Sequence, residues 1–303
     1  MHVFVTGASG WIGSATVAEL LKAGHRVSGL ARSDASAAKL HGRGVEVVRG
    51  GLDDLEALRS AAAAADGVVH LAYNHDFSDM AGAAATDRAA VQVLGEALVG
   101  TGRPLFVASG VAMIPAKPAT EDDVIPAPDE SMPARLSESV ALSFVDQGVR
   151  SAALRFAPTV HGTGDYGFIA ILAAIAREHG VSGFVGDGAH GWSAVHVSDA
   201  ARMIALGLEK APAGARLHAI GEQSVPTRKI AEAVGRAFDL PVEQIADDRV
   251  AAHFGWIERV FSHDLSATSF KTQELLGWTP TGPKLITDIE NGAYALDAAP
   301  VAG

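Results

Sequence analysis

Short apolar runs alternate with amphipathic segments through the first part of the chain. Short apolar runs bounded by polar residues or glycine are typical of buried strands, and apolar residues three or four apart indicate helices. The pattern predicts strands over 2–6, 26–31, 45–48, 67–72 and 104–109. It predicts helices between them over 12–23, 34–41, 53–64 and 79–100. This alternation indicates an α/β fold, with a parallel sheet, helices on both faces and right-handed crossovers.

The turn after the first predicted strand is rich in glycine. Gly7, Gly10 and Gly13 follow the strand at intervals of three and lead into a helical pattern. A strand, a glycine-rich turn and a helix in this order predict a dinucleotide cradle of the Rossmann type. Gly7 permits the tight turn, Gly10 lets the backbone approach a pyrophosphate, and Gly13 lets the helix pack closely on the strand. The helix N-terminus offers N–H groups and partial positive charge to the phosphates.

The rest of the chain is less regular. Helices are predicted over 134–147, 167–179, 198–210, 226–238 and 248–260, and strands over 151–157, 183–185 and 215–220. We therefore predict a doubly wound parallel sheet over 1–157, to which 192–225 returns. Residues 158–191 and 226–303 form a smaller C-terminal substrate-binding region in this prediction. The acidic, proline-rich stretch 114–133 is either a lid over the site or a surface loop.

The residues after the second predicted strand bear on the choice of cofactor. A Rossmann site places an acidic residue here for the ribose 2′-hydroxyl of NAD, or an arginine for the 2′-phosphate of NADP. This chain has Arg32 and Ser33 at that point, and Asp34 comes only afterwards. Arg32 and Ser33 can bind a phosphate through a guanidinium and a hydroxyl, so NADP(H) is predicted in preference to NAD(H). The alternative is that Arg32 stacks on the adenine, which leaves the preference open.

Composition limits the classes of partner. The 303 residues carry a net charge of −11, from 24 basic and 35 acidic residues, which argues against nucleic acid or an anionic membrane as partner. The chain has no cysteine, which excludes disulfides and thiolate chemistry, and its 12 histidines lack metal-ligand spacing, so we expect no metal. Apolar stretches are too short for a membrane span, and the first strand begins too early for a signal peptide. We therefore expect a cytoplasmic protein.

Several motifs resemble those of one enzyme family, in the same order along the chain. They are Thr6–Gly13, Val69–Ala72, Phe106–Ser109, Leu154–Gly162, Trp192–Ala201 and Leu275–Pro280. Together they resemble the extended short-chain dehydrogenase/reductases, the NAD(P)-dependent epimerase/dehydratase family. The motifs and the cofactor argument above give a set of predicted cofactor contacts: Thr6, Gly7, Ser9, Gly10, Trp11, Ile12, Gly13, Arg32, Ser33, Leu71, Ala72, Tyr73 and Glu138.

The catalytic motif of that family, Tyr-x-x-x-Lys, is missing. The three tyrosines are Tyr73, Tyr166 and Tyr294, and none is followed four positions later by lysine. We align Ala134 with the family's tyrosine and Glu138 with its lysine. Glu138 either pairs with an arginine, Arg135 or Arg88, or accepts a hydrogen bond from the nicotinamide ribose.

Other residues are candidates for the missing chemistry. Ser109 can hold a substrate oxygen, or it is only a strand-end hydroxyl. Tyr73 or His75, with Asp76 beside it, can supply a proton, or the His-Asp pair is an exposed loop feature. His161 and Tyr166 lie on a loop that the resemblance places at the substrate cleft, with Tyr166 a further candidate for proton transfer. Trp192 either lines the substrate or packs at the domain junction.

Three functions remain in competition. The leading one is an NADP(H)-dependent oxidoreductase that transfers hydride to or from a carbonyl or hydroxyl of a small molecule. The second is an inactive NADP-binding sensor or scaffold, and the third is an epimerase or dehydratase that uses bound NAD(P) without net turnover. By analogy with related enzymes, we expect a possible homodimer through helices 79–100 and 134–147.

Overall fold

The fold contains a large sheet, two smaller sheets and surrounding helices, described here from a computed structural model that covers residues 1–74, 79–126 and 136–294. The strands are β1 (His2–Thr6), β2 (Arg26–Ala31), β3 (Glu46–Arg49), β4 (Gly67–His70), β5 (Pro104–Gly110), β6 (Arg150–Phe156), β7 (Thr159–His161), β8 (Ser182–Val185), β9 (Gly191–His196), β10 (Arg216–Ala219), β11 (Glu222–Pro226) and β12 (Val242–Ile245). The α-helices are α1 (Trp11–Lys22), α2 (Asp34–His41), α3 (Leu55–Ala64), α4 (Met80–Glu96), α5 (Ser137–Leu142), α6 (Phe168–His179), α7 (Val197–Lys210), α8 (Thr227–Phe238), α9 (Asp247–Phe254), α10 (Glu258–Phe261), α11 (Phe270–Leu276) and α12 (Leu285–Glu290).

The large sheet has seven strands in the order β10-β6-β5-β4-β1-β2-β3. Every neighbouring pair in it is parallel. The order reverses between β1 and β4, because the chain runs outward from β1 to β3 and then crosses back to β4. In an open parallel sheet this reversal creates a crevice at the carboxyl ends of the strands.

Helices cover both faces of this sheet. In β1, Val3 and Val5 belong to one buried cluster with residues of α1 and α7, whereas Phe4 belongs to another with residues of α3, α4 and α5. All three β1 side chains are fully buried. Burial on both faces explains why the strand reads as a continuous apolar run rather than an alternating one. The predicted doubly wound α/β fold is confirmed.

The C-terminal part builds a separate apolar cluster. Strands β11, β9 and β7 form a three-stranded sheet, and β12 pairs with β8. Trp192, Phe254, Phe261 and other buried residues form a core between these strands and helices α6, α8, α9 and α12. Strand β10 joins the large sheet, whereas β9 and β11, which also lie in the segment predicted to return to it, join the three-stranded sheet. The domain boundaries given above stay a prediction.

Two predicted helices are shorter or more broken than their patterns indicate. The helix predicted over 134–147 is α5 followed by a 3-10 turn over Val145–Gln147, and residues 134 and 135 lie outside the described part. The helix predicted over 248–260 is interrupted at Gly255, whose φ of 58° ends α9. The strands over 159–161, 191–196, 222–226 and 242–245 and the helices over 270–276 and 285–290 were not predicted. These elements are short and are stabilised by tertiary partners rather than by a long periodic pattern.

The described part of the acidic, proline-rich stretch packs against α11 and the segment before it. Ala119 accepts a backbone hydrogen bond from Thr268, and buried Glu121 accepts from both the backbone N–H and the hydroxyl of Thr272. The sequence offered a lid or a surface loop. Up to residue 126 most of the stretch is exposed, and Ala119 and Glu121 anchor it to the C-terminal part of the chain.

Candidate cofactor and active site

The glycine-rich turn lies at the point where the strand order of the large sheet reverses. Gly7 has a φ of 68°, and a Cβ at this position would lie 2.7 Å from the backbone N of Ala72, just beyond β4. A Cβ on Gly13 would lie 1.9 Å from the carbonyl oxygen of Gly7, so α1 approaches the turn as closely as glycine allows. The backbone N–H of Gly10 closes the turn onto the Gly7 carbonyl at 2.9 Å. This geometry fits a dinucleotide cradle.

The N-terminus of α1 points into this crevice without a capping side chain from its own N-cap residue, Gly10. The backbone N–H of Trp11 donates to the hydroxyl of Tyr166 at 3.3 Å. Ser9, Gly10, Trp11 and Ile12 are all partly accessible. These backbone groups are suited to hold a pyrophosphate, because a helix N-terminus favours negative charge.

Thr6, the residue before this turn, holds it against the segment that follows β4. It is fully buried, and its hydroxyl accepts from the Ala72 N–H at 3.2 Å and contacts His70 Nδ1 at 2.9 Å. The prediction that Thr6 contacts the cofactor directly is therefore corrected: its side chain ties the end of β1 to the chain that leaves β4.

A chain of buried polar groups continues from Thr6. His70 Nε2 lies 3.0 Å from Asp87 of α4, and the hydroxyl of Ser137 at the start of α5 donates to the same carboxylate. His70, Asp87 and Ser137 are all at most 1% exposed. Such satisfied buried networks fix the relative positions of the elements that carry them, here β1, β4, α4 and α5.

At the end of the crevice predicted to take the adenosine, Arg32 is exposed, and its side chain makes no ion pair or hydrogen bond within the described residues. Asp34 does not compete for it, because its carboxylate pairs with Arg49 at 2.6 Å. Ala31 and Arg49 are register partners in β2 and β3, so two guanidinium groups flank the end of β2. Ser33 caps α2, with its hydroxyl accepting from the Ser36 N–H.

At the other end, β4 and β5 present the residues predicted to face the nicotinamide. Leu71, Ala72 and Tyr73 follow β4 and are half-buried. Ser109 lies near the carboxyl end of the neighbouring β5 and is half-buried, and its hydroxyl forms no hydrogen bond within the described residues. His75, the other predicted proton donor, lies outside the described residues.

The remaining predicted substrate residues do not share one open cleft. Tyr166 is 49% exposed, and its hydroxyl accepts a hydrogen bond from the Trp11 N–H at the start of α1. His161 is 1% exposed, and its Nδ1 lies 2.6 Å from the carboxylate of Asp288. Trp192 is fully buried, with its ring against Phe168 and Phe261. The substrate-lining role predicted for Trp192 is corrected to a core role, because a fully buried indole presents no surface to a ligand.

The comparisons with known proteins decide the family. A model of the NAD dependent epimerase/dehydratase family matches residues 3–220. The chain belongs to this family. The match spans β1 to β10 and includes the cradle, Arg32 and Ser109.

Several known proteins resemble the chain over nearly its whole length. An uncharacterized protein of Schizosaccharomyces pombe, C2A9.02, is 41% identical over 97% of this chain and 100% of its own length. Among solved structures, the dTDP-glucose 4,6-dehydratase DesIV of Streptomyces venezuelae, with NAD bound, has a TM-score of 0.74 at 23% identity, covering 97% of this chain and 96% of that chain. The UDP-glucose 4-epimerase of Thermotoga maritima, with UDP-glucose, has a TM-score of 0.74 at 19% identity, covering 97% and 98%. Both structural matches show the shared fold.

In this chain, the position that we align with the family's catalytic lysine is Glu138, which forms a buried ion pair. Glu138 accepts two hydrogen bonds from Arg155, at 2.9 Å from Nε and 2.5 Å from Nη2. Arg155 is fully buried, and its Nη1 also donates to the carbonyl of Asp123 at 2.8 Å. The carboxylate is thereby committed to a guanidinium that could not remain buried alone. Glu138 thus pairs with an arginine, as one alternative expected, but the arginine is Arg155 rather than Arg88, and the predicted ribose contact is corrected. The other predicted partner, Arg135, lies outside the described residues.

Sequence reasoning missed the buried network and the contacts from the C-terminal end of the chain. The isolated polar His70 inside an otherwise apolar buried strand was a signal for the first. Asp288 lies 127 positions from His161, and no local pattern announces such a pairing. Within the described residues no helix has the length and apolar character to cross a membrane, and no cluster of metal-ligating side chains is present.

Proposed function

We propose that this chain is an NADP(H)-dependent oxidoreductase that acts on a carbonyl or hydroxyl group of a small molecule. One arrangement supports the proposal: along the sheet order β2-β1-β4-β5, the carboxyl ends carry Arg32, the cradle, the segment 71–73 and Ser109. A guanidinium and a hydroxyl that have no partner within the described residues therefore flank the N-terminus of α1 along one crevice. This order matches a 2′-phosphate, a pyrophosphate and a reacting substrate oxygen.

Arg32 carries the preference for NADP(H) over NAD(H). Its guanidinium has no partner within the described residues, whereas the nearby acid, Asp34, is neutralised by Arg49. An arginine without a carboxylate partner is suited to bidentate binding of a phosphate.

Ser109 holds the substrate oxygen in this proposal. When bound, the nicotinamide cofactor supplies or accepts the hydride. The Ser109 hydroxyl donates a hydrogen bond to the oxygen on which negative charge develops, and a donor positioned in advance stabilises that charge. Tyr73, or His75 beyond it, moves the proton, since both follow β4, the strand beside β5.

A test of this proposal measures binding and turnover separately. NADPH and NADH are titrated by fluorescence, and cofactor oxidation is then followed with a panel of aldehydes and ketones. In Ser109→Ala we expect turnover to fall roughly 100-fold or more while NADPH affinity stays unchanged. Ser60→Ala on exposed α3 is the matched control and leaves both unchanged. Unchanged turnover in Ser109→Ala would remove this residue from the mechanism.

The second candidate is an NADP-binding sensor or scaffold without turnover. The observation that favours it is the absence of Tyr-x-x-x-Lys, with Glu138 held by Arg155 where the lysine is expected. Tight NADPH binding with no turnover across a broad carbonyl panel is the result expected for this candidate. An epimerase or dehydratase with bound NAD(P) is distinguished by product formation without net change in cofactor oxidation state.

We also propose a homodimer, by analogy with related enzymes, through the surface of α4 and α5. These helices pack on the same face of the large sheet. The molar mass in solution, from size-exclusion chromatography with light scattering, tests this proposal: about twice the chain mass of 31.1 kDa supports it, and the chain mass itself contradicts it.

A further inference from the structure

The loop 161–167 crosses over the phosphate end of the crevice, and we call it the strap. It leaves the end of β7, and it contains Gly162 and Gly164, whose φ values are 149° and 92°. The strap meets the cradle through Tyr166, whose hydroxyl accepts from the Trp11 N–H at 3.3 Å. The indole N–H of Trp11 donates in turn to the carbonyl of Val160 at 2.7 Å. The first residue of α1 is therefore hydrogen-bonded to the strap and to the strand that precedes it.

Two buried pairs hold the strap from the opposite side. At its start, His161 Nδ1 lies 2.6 Å from the Asp288 carboxylate of α12. Near its end, the hydroxyl of Tyr294 donates to Asp165 at 2.8 Å. The other oxygen of Asp165 accepts from the Gly167 N–H at 2.7 Å. All four residues of the two pairs are buried, so both ends of the strap are held by residues of the C-terminal part.

Burial also shifts the pKa values of the second pair, Tyr294 and Asp165. It raises the pKa of the Tyr294 hydroxyl and that of the Asp165 carboxyl above their ordinary values. The phenol therefore keeps its proton and acts as the donor. Asp165 and Tyr166 are neighbours in the chain. The hydrogen bond from Tyr294 to Asp165 therefore fixes the backbone position from which the Tyr166 side chain extends.

The hydroxyl of Tyr166 occupies the position that an anionic oxygen prefers. The Trp11 N–H belongs to the first turn of α1, where no intrahelical acceptor exists and negative charge is favoured. The phenol oxygen accepts from that N–H, while its own proton has no acceptor within the described residues. A phosphate placed at this helix end accepts from the backbone N–H and can also receive the phenol's proton.

We propose that Tyr166 is a pyrophosphate-binding residue. A phosphate oxygen takes over the Trp11 N–H, and the Tyr166 hydroxyl, displaced to the side, donates to a phosphate oxygen. Tyr294 is a positioning residue that acts through Asp165 and the strap. This assignment rests on the proposed binding of NADP(H), and it moves Tyr166 from the predicted proton-transfer role to the cofactor's phosphates.

The test compares NADPH, which carries both the pyrophosphate and the 2′-phosphate, with two ligands that carry only one of these groups. NADPH, ADP and 2′-AMP are titrated by calorimetry against the wild type, Tyr166→Phe and Arg32→Ala. ADP carries the two phosphates of the pyrophosphate without the 2′-phosphate, and 2′-AMP carries the 2′-phosphate without them. Tyr166→Phe removes only the hydroxyl, so the ring against Trp11 is retained.

For Tyr166→Phe we expect affinity for NADPH and ADP to fall about tenfold, with 2′-AMP unchanged, because one hydrogen bond to a charged group is lost. Arg32→Ala is expected to show the opposite selectivity, with NADPH and 2′-AMP weakened and ADP unchanged. A wild type that binds ADP and NADPH, with Tyr166→Phe binding them equally or more tightly, overturns this assignment alone. A wild type that binds neither overturns the proposed cofactor and this assignment together.

A double-mutant cycle tests the positioning role of Tyr294. Tyr294→Phe is expected to weaken ADP about threefold in the wild type and to have no further effect in the Tyr166→Phe background, since Tyr294 acts through Tyr166. Equal effects in both backgrounds, or none in either, contradict the positioning role. Thermal unfolding of each variant is measured alongside, so that loss of fold is separated from loss of affinity.

Discussion

The turn after β1 can form only because Gly13 has no Cβ atom. A Cβ at Gly13 would lie 1.9 Å from the Gly7 carbonyl oxygen, far inside van der Waals contact. The sequence spacing alone was enough to predict this close approach. It could not reveal that Thr6, one residue before the turn, faces inward onto His70, because burial depends on strands that are distant in sequence.

Gly13→Ala is expected to lower the free energy of unfolding by about 1–3 kcal/mol, because α1 must move away from the turn. NADPH affinity should fall with it, since the N–H groups of α1 move as well. Gly42→Ala is the matched control: its φ is −61°, and its Cβ would meet no atom closer than 3.4 Å. Urea unfolding of both variants, with NADPH titration, checks this. Equal stability of the two variants would contradict the packing argument.

At the scale of elements, prediction succeeded where burial is uniform and failed where partners are remote. Strands β1, β2 and β5 are buried on both faces and read as apolar runs, so their positions follow from the sequence. Strands β9 and β11 contain polar residues that find partners only in the folded chain. One example is Ser193, whose hydroxyl donates to the carbonyl of Leu265. Nothing in the local sequence around β9 indicates that partner.

Helix α5 shows the same limit at the candidate site. The alignment of Glu138 with the family's lysine stays a prediction, and the partner of Glu138 could not be read from the helix. Arg155 lies in β6, and its burial depends on the neighbouring strands β5 and β10. An ion pair buried between a helix and a sheet leaves no periodic signal in either element.

Glu138→Lys, which restores the charge of the family's lysine, is expected to destabilise the protein by roughly 3–5 kcal/mol and to restore no activity. The variant would leave the buried Arg155 without its counter-charge and place a second cation beside it. Ser139→Lys, on the exposed neighbouring position, is the control and should change stability little. Chemical unfolding provides the measurement. A stable Glu138→Lys variant with raised turnover would contradict the structural role of this ion pair.

At the scale of the whole molecule, buried histidines link stability to pH. Burial lowers the pKa of His161, although Asp288 beside it acts in the opposite direction, and burial also lowers that of His218. At these two histidines the unfolded chain therefore binds more protons than the folded one below about pH 6.5. Stability must then rise with pH through this window and fall as the solution becomes more acidic.

Between pH 7 and pH 5 we expect the free energy of unfolding to decrease. The decrease approaches about 1.4 kcal/mol per pH unit below 6.5 for each histidine that stays neutral in the fold. His161→Gln should reduce this slope, whereas His41→Gln, at an exposed position, should not. Urea unfolding at several pH values measures it. A stability that is flat from pH 5 to 7 in the wild type would show that these histidines charge freely in the fold.

The central claim is that the crevice between β1 and β4 binds NADP(H), with Arg32 selecting the 2′-phosphate. The most direct measurement is calorimetric titration of NADPH and NADH into the wild type and Arg32→Ala, with Arg59→Ala on α3 as a charge-matched control. We predict that the wild type binds NADPH at least about tenfold more tightly than NADH, since a charge-assisted contact to the phosphate is available only with NADPH. Arg32→Ala should abolish this difference by weakening NADPH alone, and Arg59→Ala should retain it. A wild type that binds NADH as tightly as NADPH, or an Arg32→Ala variant with the wild-type preference, would contradict the account.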